Sequence, residues 1–282
     1  MELFRYHGLG NDYLVLDQNY FNMELNPERI KLICDRNFGV GSDGILYKSN
    51  KEKNDYCVKI FNPDGGEAEK SGNGVRIFAK YLKDAGYATN EEILIPTLGG
   101  DVVVTYLNQK GTLMKVYMGE ATCSSDKIPV IGEKREVVHE KMEFQGKEYF
   151  TTCVSVGNPH CVIFCDEISK AFACEVGPYV ENSPLFPHRI NTQFVKLIDK
   201  NNIQIEIYER GAGYTMASGS SSCAAAYAAY RNGMVDNDIT VSMPGGKLQI
   251  QIEENNIFMT GPVCSIGKVI LDNEFVEQLK EL

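Results

Sequence analysis

NPDGGEAEKSGNGVR, residues 62–76, and ERGAGYTMASGSSSC, residues 209–223, share one layout at an offset of 147 residues. Each follows an apolar run that reads as a strand, and each ends in a Ser-Gly pair, Ser71-Gly72 or Ser218-Gly219, at the mouth of a helix. The offset extends further. Gly10-Asn11 and Gly157-Asn158 stand 147 apart, and so do Gly86 and Gly233, which are placed to end the two helices. Ser71 and Ser218 are good N-cap residues for the same helices. A duplicated half is the economical reading. If the halves pack face to face, the two serines point at one cleft from opposite sides, with roughly 6 to 8 Å between them if each is to reach a shared carbon.

Short apolar or alternating runs surround these motifs, at 13–16, 57–61, 93–95, 102–106, 114–118, 154–156, 161–165, 194–198, 203–208, 248–252 and 269–271. Gly, Asn, Asp and Pro punctuate them, as expected of strands joined by turns. Helices are fewer, and are expected at 26–34, from Gly72, from Gly219 and at 273–282. The pattern predicts an α/β protein of the α+β type. It has two similar strand-rich domains, each wrapped around a central helix, related by pseudo-two-fold symmetry. The expected boundaries are 1–121 with 266–282 for the N-terminal half, and 122–265 for the C-terminal half.

Composition narrows the function. The 282 residues are 43% apolar, enough for two ordinary domains, and the net charge of −10 with a pI near 5.0 argues against nucleic acid as a partner. No apolar run approaches the ~20 residues of a membrane span. The N-terminus MELFRYHGLG has no basic and apolar leader, which predicts a cytoplasmic protein. Nine cysteines show no C-x-x-C pair and mostly sit in apolar runs, so they read as reduced core thiols. His7, His139, His160 and His188 lack ligand spacing, so no metal is expected, and no phosphate-binding or dinucleotide fingerprint appears.

The duplicated motifs read as a site. Helix N-termini favour anions, and the small residues Gly72, Asn73 and Gly74, with Gly219, Ser220 and Ser221 in the second half, let a ligand approach the backbone. Glu209 and Arg210 follow an apolar run directly; Arg210 suits a carboxylate and Glu209 an ammonium, a pairing that fits an amino acid. Asn11, Asn62, Asn158 and Asn191 add neutral donors and acceptors on loops.

Together HGLGNDYLVLD (7–17), RNFGVGSDGIL (36–46), the 62–76 stretch, GNPH (157–160), HRIN (188–191) and ERGAGYTMASGSSSCAA (209–225) resemble the diaminopimelate epimerases. The resemblance implies a homodimeric cytoplasmic isomerase of lysine and peptidoglycan precursor synthesis, acting on a small amino-acid substrate with no cofactor, neither pyridoxal phosphate nor metal. It implies two catalytic groups, here Ser71 and Ser218, working as base and acid on opposite faces of the α-carbon to interconvert LL- and meso-diaminopimelate. Asn11, Gly72, Asn73, Gly219 and Ser220 would surround the reacting end. Asn62, Asn158, Asn191 and Arg210 would hold the distant end, with Glu209 on an ammonium. The family's two cysteines are serines here, Tyr214 replaces an acidic residue, and Ser221 stands where Gly is common. Three readings account for the serine pair: an engineered inactive variant of a Cys/Cys enzyme, a natural Ser/Ser branch doing slower epimerisation or different proton chemistry such as isomerisation or elimination, and an amino-acid-binding protein without turnover; among enzymes, a related racemase or isomerase for another amino acid is the runner-up.

Overall fold

In a computed structural model, which describes residues 1–49, 56–69 and 71–282, the chain divides into two compact units. One comprises Met1–Val116 with Gly261–Leu282, the other Tyr117–Thr260.

The first unit opens with β1 (Glu2–Gly8), β2 (Asn11–Asp17), α1 (Pro27–Cys34), β3 (Ile45–Lys48), β4 (Lys59–Phe61) and β5 (Glu67–Ala68). Then come α2 (Gly72–Asp84), β6 (Glu92–Thr97), β7 (Gly100–Tyr106) and β8 (Leu113–Glu120). Strands β1 to β5 lie side by side in chain order, β2 and β3 parallel and the other neighbours antiparallel. On one side of this sheet α1 closes a core of Leu3, Leu14, Leu16, Ile30, Ile33 and Ile45. On α2, every residue from Asn73 to Leu82 is buried, and the helix lies against β1, β2, β6 and β7.

The second unit repeats the plan with β9 (Glu140–Phe144), β10 (Lys147–Ser155), β11 (Pro159–Phe164), α3 (Lys170–Glu181), β12 (Asn191–Asp199) and β13 (Asn202–Glu209). It continues through β14 (Gly213–Thr215), α4 (Gly219–Arg231), β15 (Asp238–Met243), β16 (Gly246–Glu253) and β17 (Asn256–Pro262). Its sheet runs β17-β16-β15-β13-β12-β11-β10-β9, with β14 beside β13. Helix α4 is buried on all sides from Ser221 to Ala229, where a run of alanines lets strands β10 to β13, β15 and β16 approach closely. The chain then returns to the first unit as β18 (Cys264–Ile270), added outside β1, and α5 (Asn273–Glu281), which covers the first core with Val276 and Leu279.

The duplication holds at the level of register. Leu14 faces Ile45, Ile45 faces Phe61 and Ile60 faces Ala68 in the first unit; Cys161 faces Thr192, Thr192 faces Tyr208 and Ile207 faces Thr215 in the second. Every one of these pairs is displaced by 147 residues. A one-residue slip would turn each strand inside out, so identical registers mean identical inward faces. The helix ends agree too. Gly86 and Gly233 adopt φ of +78° and +67° just past α2 and α4, the left-handed geometry for which glycine is suited.

Helix α3 lies outside the expected helices; Gly177 and Pro178 inside it disfavour a helix locally. Packing overrides them. A Cβ at Gly177 would stand 2.4 Å from the Tyr208 ring, so glycine is what lets α3 settle on β13. Strands β1, β3, β5, β9, β14, β15 and β17 also lie outside the expected runs. No helix among the described residues is long and apolar enough to cross a membrane.

Candidate active site

Ser71 and Ser218 hold equivalent positions, and local chemistry puts them there. Both have extended backbones, with φ and ψ of −139° and 118° for Ser71 and −147° and 129° for Ser218. Each turns its hydroxyl back over the first helical turn: Ser71 Oγ accepts the Gly74 N–H at 3.0 Å, and Ser218 Oγ accepts the Ser221 N–H at 3.3 Å. This satisfies one of the donors that a helix start leaves unpaired. Gly74 keeps the space, since a Cβ there would lie 3.1 Å from Ser71 Oγ.

In the first unit, the Tyr13 hydroxyl lies 3.3 Å from Ser71 Oγ. Asn73, in the first turn of α2, donates to Asn11 Oδ1 at 3.1 Å, so the strand loop and the helix start are tied together beside Ser71. Asn11 donates to Asp43 at 2.8 Å, and Arg76 donates to Asn73 at 2.7 Å and to the Gly72 carbonyl at 3.2 Å. Asp12 supports this cluster between Arg5 and Arg36. Burial alone would raise its carboxyl, and the hydrogen bonds and charges of Arg36 and Arg5 overcome that and hold it below the usual range. Asn62 stands apart, exposed on the turn after β4, with its backbone N–H bonded to the Gly66 carbonyl at 2.8 Å.

In the second unit, Ser218 Oγ lies 3.5 Å from Ser220 Oγ, and Asn158 Nδ2 donates to Ser220 Oγ at 3.4 Å. The Asn11–Asn73 tie is thus repeated with a serine on the helix. Behind it, His160 is fully buried, its Nε2 2.9 Å from Asn158 Oδ1. Burial pushes the imidazole down to about 3; the neighbouring Gln193 side chain works the other way, and the Arg210 charge adds to the depression. Gln193 donates to Ser221 Oγ at 3.0 Å, which gives the departure at Ser221 a polar partner. Glu209, at the end of β13, has its carboxyl raised by burial, with the neighbouring Ser218 hydroxyl pulling the other way.

Arg210 and Asn191 form a second group. Asn191 accepts the Arg210 N–H at 2.9 Å and donates to the Pro159 carbonyl at 2.9 Å, while Arg210 Nη1 donates to the His188 carbonyl at 3.0 Å. The loop is pinned by a residue the sequence did not single out, Glu181 on α3. Its buried carboxylate accepts the Gly211 N–H at 2.8 Å and pairs with Arg189. No local signal marks Glu181, which ends a helix whose Gly177 and Pro178 disfavour helix. Tyr214 donates to the buried Glu206 at 2.7 Å, and burial followed by that contact raises its hydroxyl pKa. Asp43 and Arg76 lie within the 36–46 and 62–76 motifs, yet nothing local marks them as neighbours of Asn11 and Asn73.

The diaminopimelate epimerase family model matches residues 3–124 and 152–266. The chain is 49% identical over 277 residues to diaminopimelate epimerase 2 of a Nostoc species, covering 97% of this chain and 96% of that protein. It is 39% identical over 278 residues to the diaminopimelate epimerase of Acetivibrio thermocellus, covering 96% and 99%. Among solved structures, a probable proline racemase from Agrobacterium radiobacter superposes with a TM-score of 0.70 at 12% identity, covering 96% of this chain and 93% of that one. A phenazine biosynthesis protein of the PhzF family from Bacillus anthracis superposes with a TM-score of 0.65 at 15% identity, covering 96% and 99%. These distant likenesses carry the fold alone. The duplicated units, the paired helix caps and the sequence relatives together establish that the chain belongs to the diaminopimelate epimerase family of isomerases.

Proposed function

We propose that the protein interconverts LL- and meso-diaminopimelate in lysine and peptidoglycan precursor synthesis, by moving the α-proton between two groups without pyridoxal phosphate or metal. Ser71 and Ser218 are the acid/base pair in this reading. The observation that carries it is their equivalence: each unit supplies one hydroxyl at the same register, which matches a reaction needing one proton carrier for each face of a carbon. The first turns of α2 and α4, at Gly72, Asn73, Gly219 and Ser220, offer N–H groups to the carboxylate next to the developing carbanion. Asn11 helps to hold this end; Asn62, Asn158, Asn191 and Arg210 hold the far end, and Glu209 takes an ammonium or relays the Ser218 proton.

The rate in this reading is low. An alcohol ionises far less readily than a thiol, and a helix N-terminus contributes at most about 2 kcal/mol, roughly one pKa unit. Binding without turnover is the second reading, favoured by one observation: both hydroxyls already serve as cap acceptors. Incubation with LL- or meso-diaminopimelate in deuterated water separates the two. The expected result is calorimetric binding of both isomers with slow deuterium entry at the α-carbon. Binding with no exchange establishes the second reading, and neither binding nor exchange rejects the substrate.

The same reading makes the protein a cytoplasmic homodimer. Its nine cysteines are expected to stay reduced thiols there. Among the described residues β18 pairs only with β1 and leaves its outer edge open, and all of it but Val269 is exposed, Ile270 at 72%. An open apolar edge is a template for a second copy. Sedimentation is expected to give twice the 31.5 kDa chain mass, and Ile270→Lys to shift the protein to monomer; a monomeric parent removes the dimer.

A further inference from the structure

Four side chains of the first unit form a hydrogen-bond relay with a direction. Arg76 Nη2 donates to Asn73 Oδ1 at 2.7 Å, Asn73 Nδ2 to Asn11 Oδ1 at 3.1 Å, and Asn11 Nδ2 to Asp43 Oδ2 at 2.8 Å. Asp43 Oδ2 also accepts the Asp12 N–H at 3.1 Å, and its Oδ1 takes Arg36 Nη2 at 2.7 Å. An asparagine amide can turn end over end, exchanging its donor and acceptor at almost no change of shape. The two ends of this relay cannot turn. A guanidinium only donates and a carboxylate only accepts, so the direction between them is forced.

Resting on the reading above, in which Asn11 and Asn73 meet the substrate, we infer that Arg76 and Asp43 are positioning residues that set which way round both amides stand. The duplication supplies the control. The positions 147 residues after Asn11 and Asn73 are Asn158 and Ser220, which again touch, at 3.4 Å. Those 147 after Asp43 and Arg76 are Ile190 and Cys223, both fully buried. The fold therefore closes around the same loop and helix with apolar residues at these places. Burying the Arg76 guanidinium is costly by comparison, and packing does not call for it. Gly8 leaves it room, since a Cβ there would lie 3.3 Å from Arg76 Nη2.

The test uses the double variant Asp43→Asn/Arg76→Gln, its two single variants and Arg76→Lys in the full chain. Side-chain amide spectra of nitrogen-15-labelled protein are assigned through Asn11→Ser and Asn73→Ser, and meso-diaminopimelate is titrated calorimetrically. The parent is expected to show one set of amide signals for each asparagine. Asp43→Asn or Arg76→Gln alone puts a reversible amide at one end and leaves the other end to set the direction, so each is expected to keep single signals. The double variant frees both ends and is expected to double or broaden those signals and to weaken binding about tenfold, the effect of one misaligned hydrogen bond. Arg76→Lys keeps a pure donor and is expected to retain single signals and to bind within about threefold of the parent. Single signals and parental affinity in the double variant overturn the inference, and so does an Arg76→Lys variant as impaired as the double variant. If the parent binds no diaminopimelate, the proposed substrate fails, and the amide signals alone decide the relay.

Discussion

Replacing both Ser71 and Ser218 by cysteine is expected to raise the rate of diaminopimelate epimerisation by about 10³-fold or more, on the scale of 10² to 10⁴ for one well-matched acid/base group. A thiol starts near pKa 8.5, and helix N-termini are among the settings that bring it to about 3.5–7.5, so one partner can be thiolate while the other keeps its proton. A serine at the same cap has no such range. The single variants should behave differently from the pair. Ser71→Cys or Ser218→Cys equips one face, so each exchanges the α-hydrogen of one isomer with solvent deuterium while epimerisation stays near the parental rate. Groups that act as a unit are not additive, and this pattern is the signature. A double variant no faster than the parent in either assay rejects Ser71 and Ser218 as the acid/base positions.

The gain has a structural cost. Each serine now accepts an N–H in the first turn of its helix, from Gly74 or Ser221, and sulfur is a weak acceptor. Loss of a good cap costs about 0.5–2 kcal/mol, so the double variant is expected to unfold at lower urea, by roughly 1–2 kcal/mol in total. Here stability and rate pull in opposite directions at the same two atoms.

Acid is expected to destabilise the parent through His160. In the fold this imidazole is neutral down to about 3, chiefly because burial disfavours its charge. In the unfolded chain it titrates near 6.5. As pH falls below about 6.5 the unfolded state takes up a proton that the folded state does not, so stability present above 6.5 drains away towards about 3. At about 1.4 kcal/mol for each pKa unit, the loss at the acid end is on the order of 5 kcal/mol, a large share of a domain's stability. Urea unfolding of the parent and of His160→Gln at pH 7, 6 and 5 isolates the effect, because the carboxylates common to both proteins largely cancel. The parent should lose stability faster by close to one proton over this range. Parallel pH dependences would show that His160 is charged in the fold, or solvated.

The features that were legible in the chain are those made by near neighbours. Ser71 and Ser218 cap helices that begin one residue later, and Gly86 and Gly233 end them through their own backbone freedom, so motif and structure coincide within a turn. Strands with clean apolar runs, such as β7 and β13, were equally plain. Strand β1 was not, because Glu2, Arg5 and His7 interrupt its pattern; its place comes from pairing between β2 and β18, the latter reached more than 250 residues later. Helix α3 hid behind Gly177 and Pro178, whose local preference against helix yields to the close seat on Tyr208.

By itself the sequence determined the duplication, the two capped helices and the serines that start them, since caps, turns and inward faces are written within a few residues of one another. Tertiary structure decided the rest: the neutral state of His160, the anchoring of the Arg210 loop by Glu181, and the orientation of Asn11 and Asn73 between Arg76 and Asp43. These depend on burial and on hydrogen bonds between side chains far apart in the chain. The free energy of a charge or an amide is set by whatever the fold brings against it, and that is known only once the strands and helices are in place.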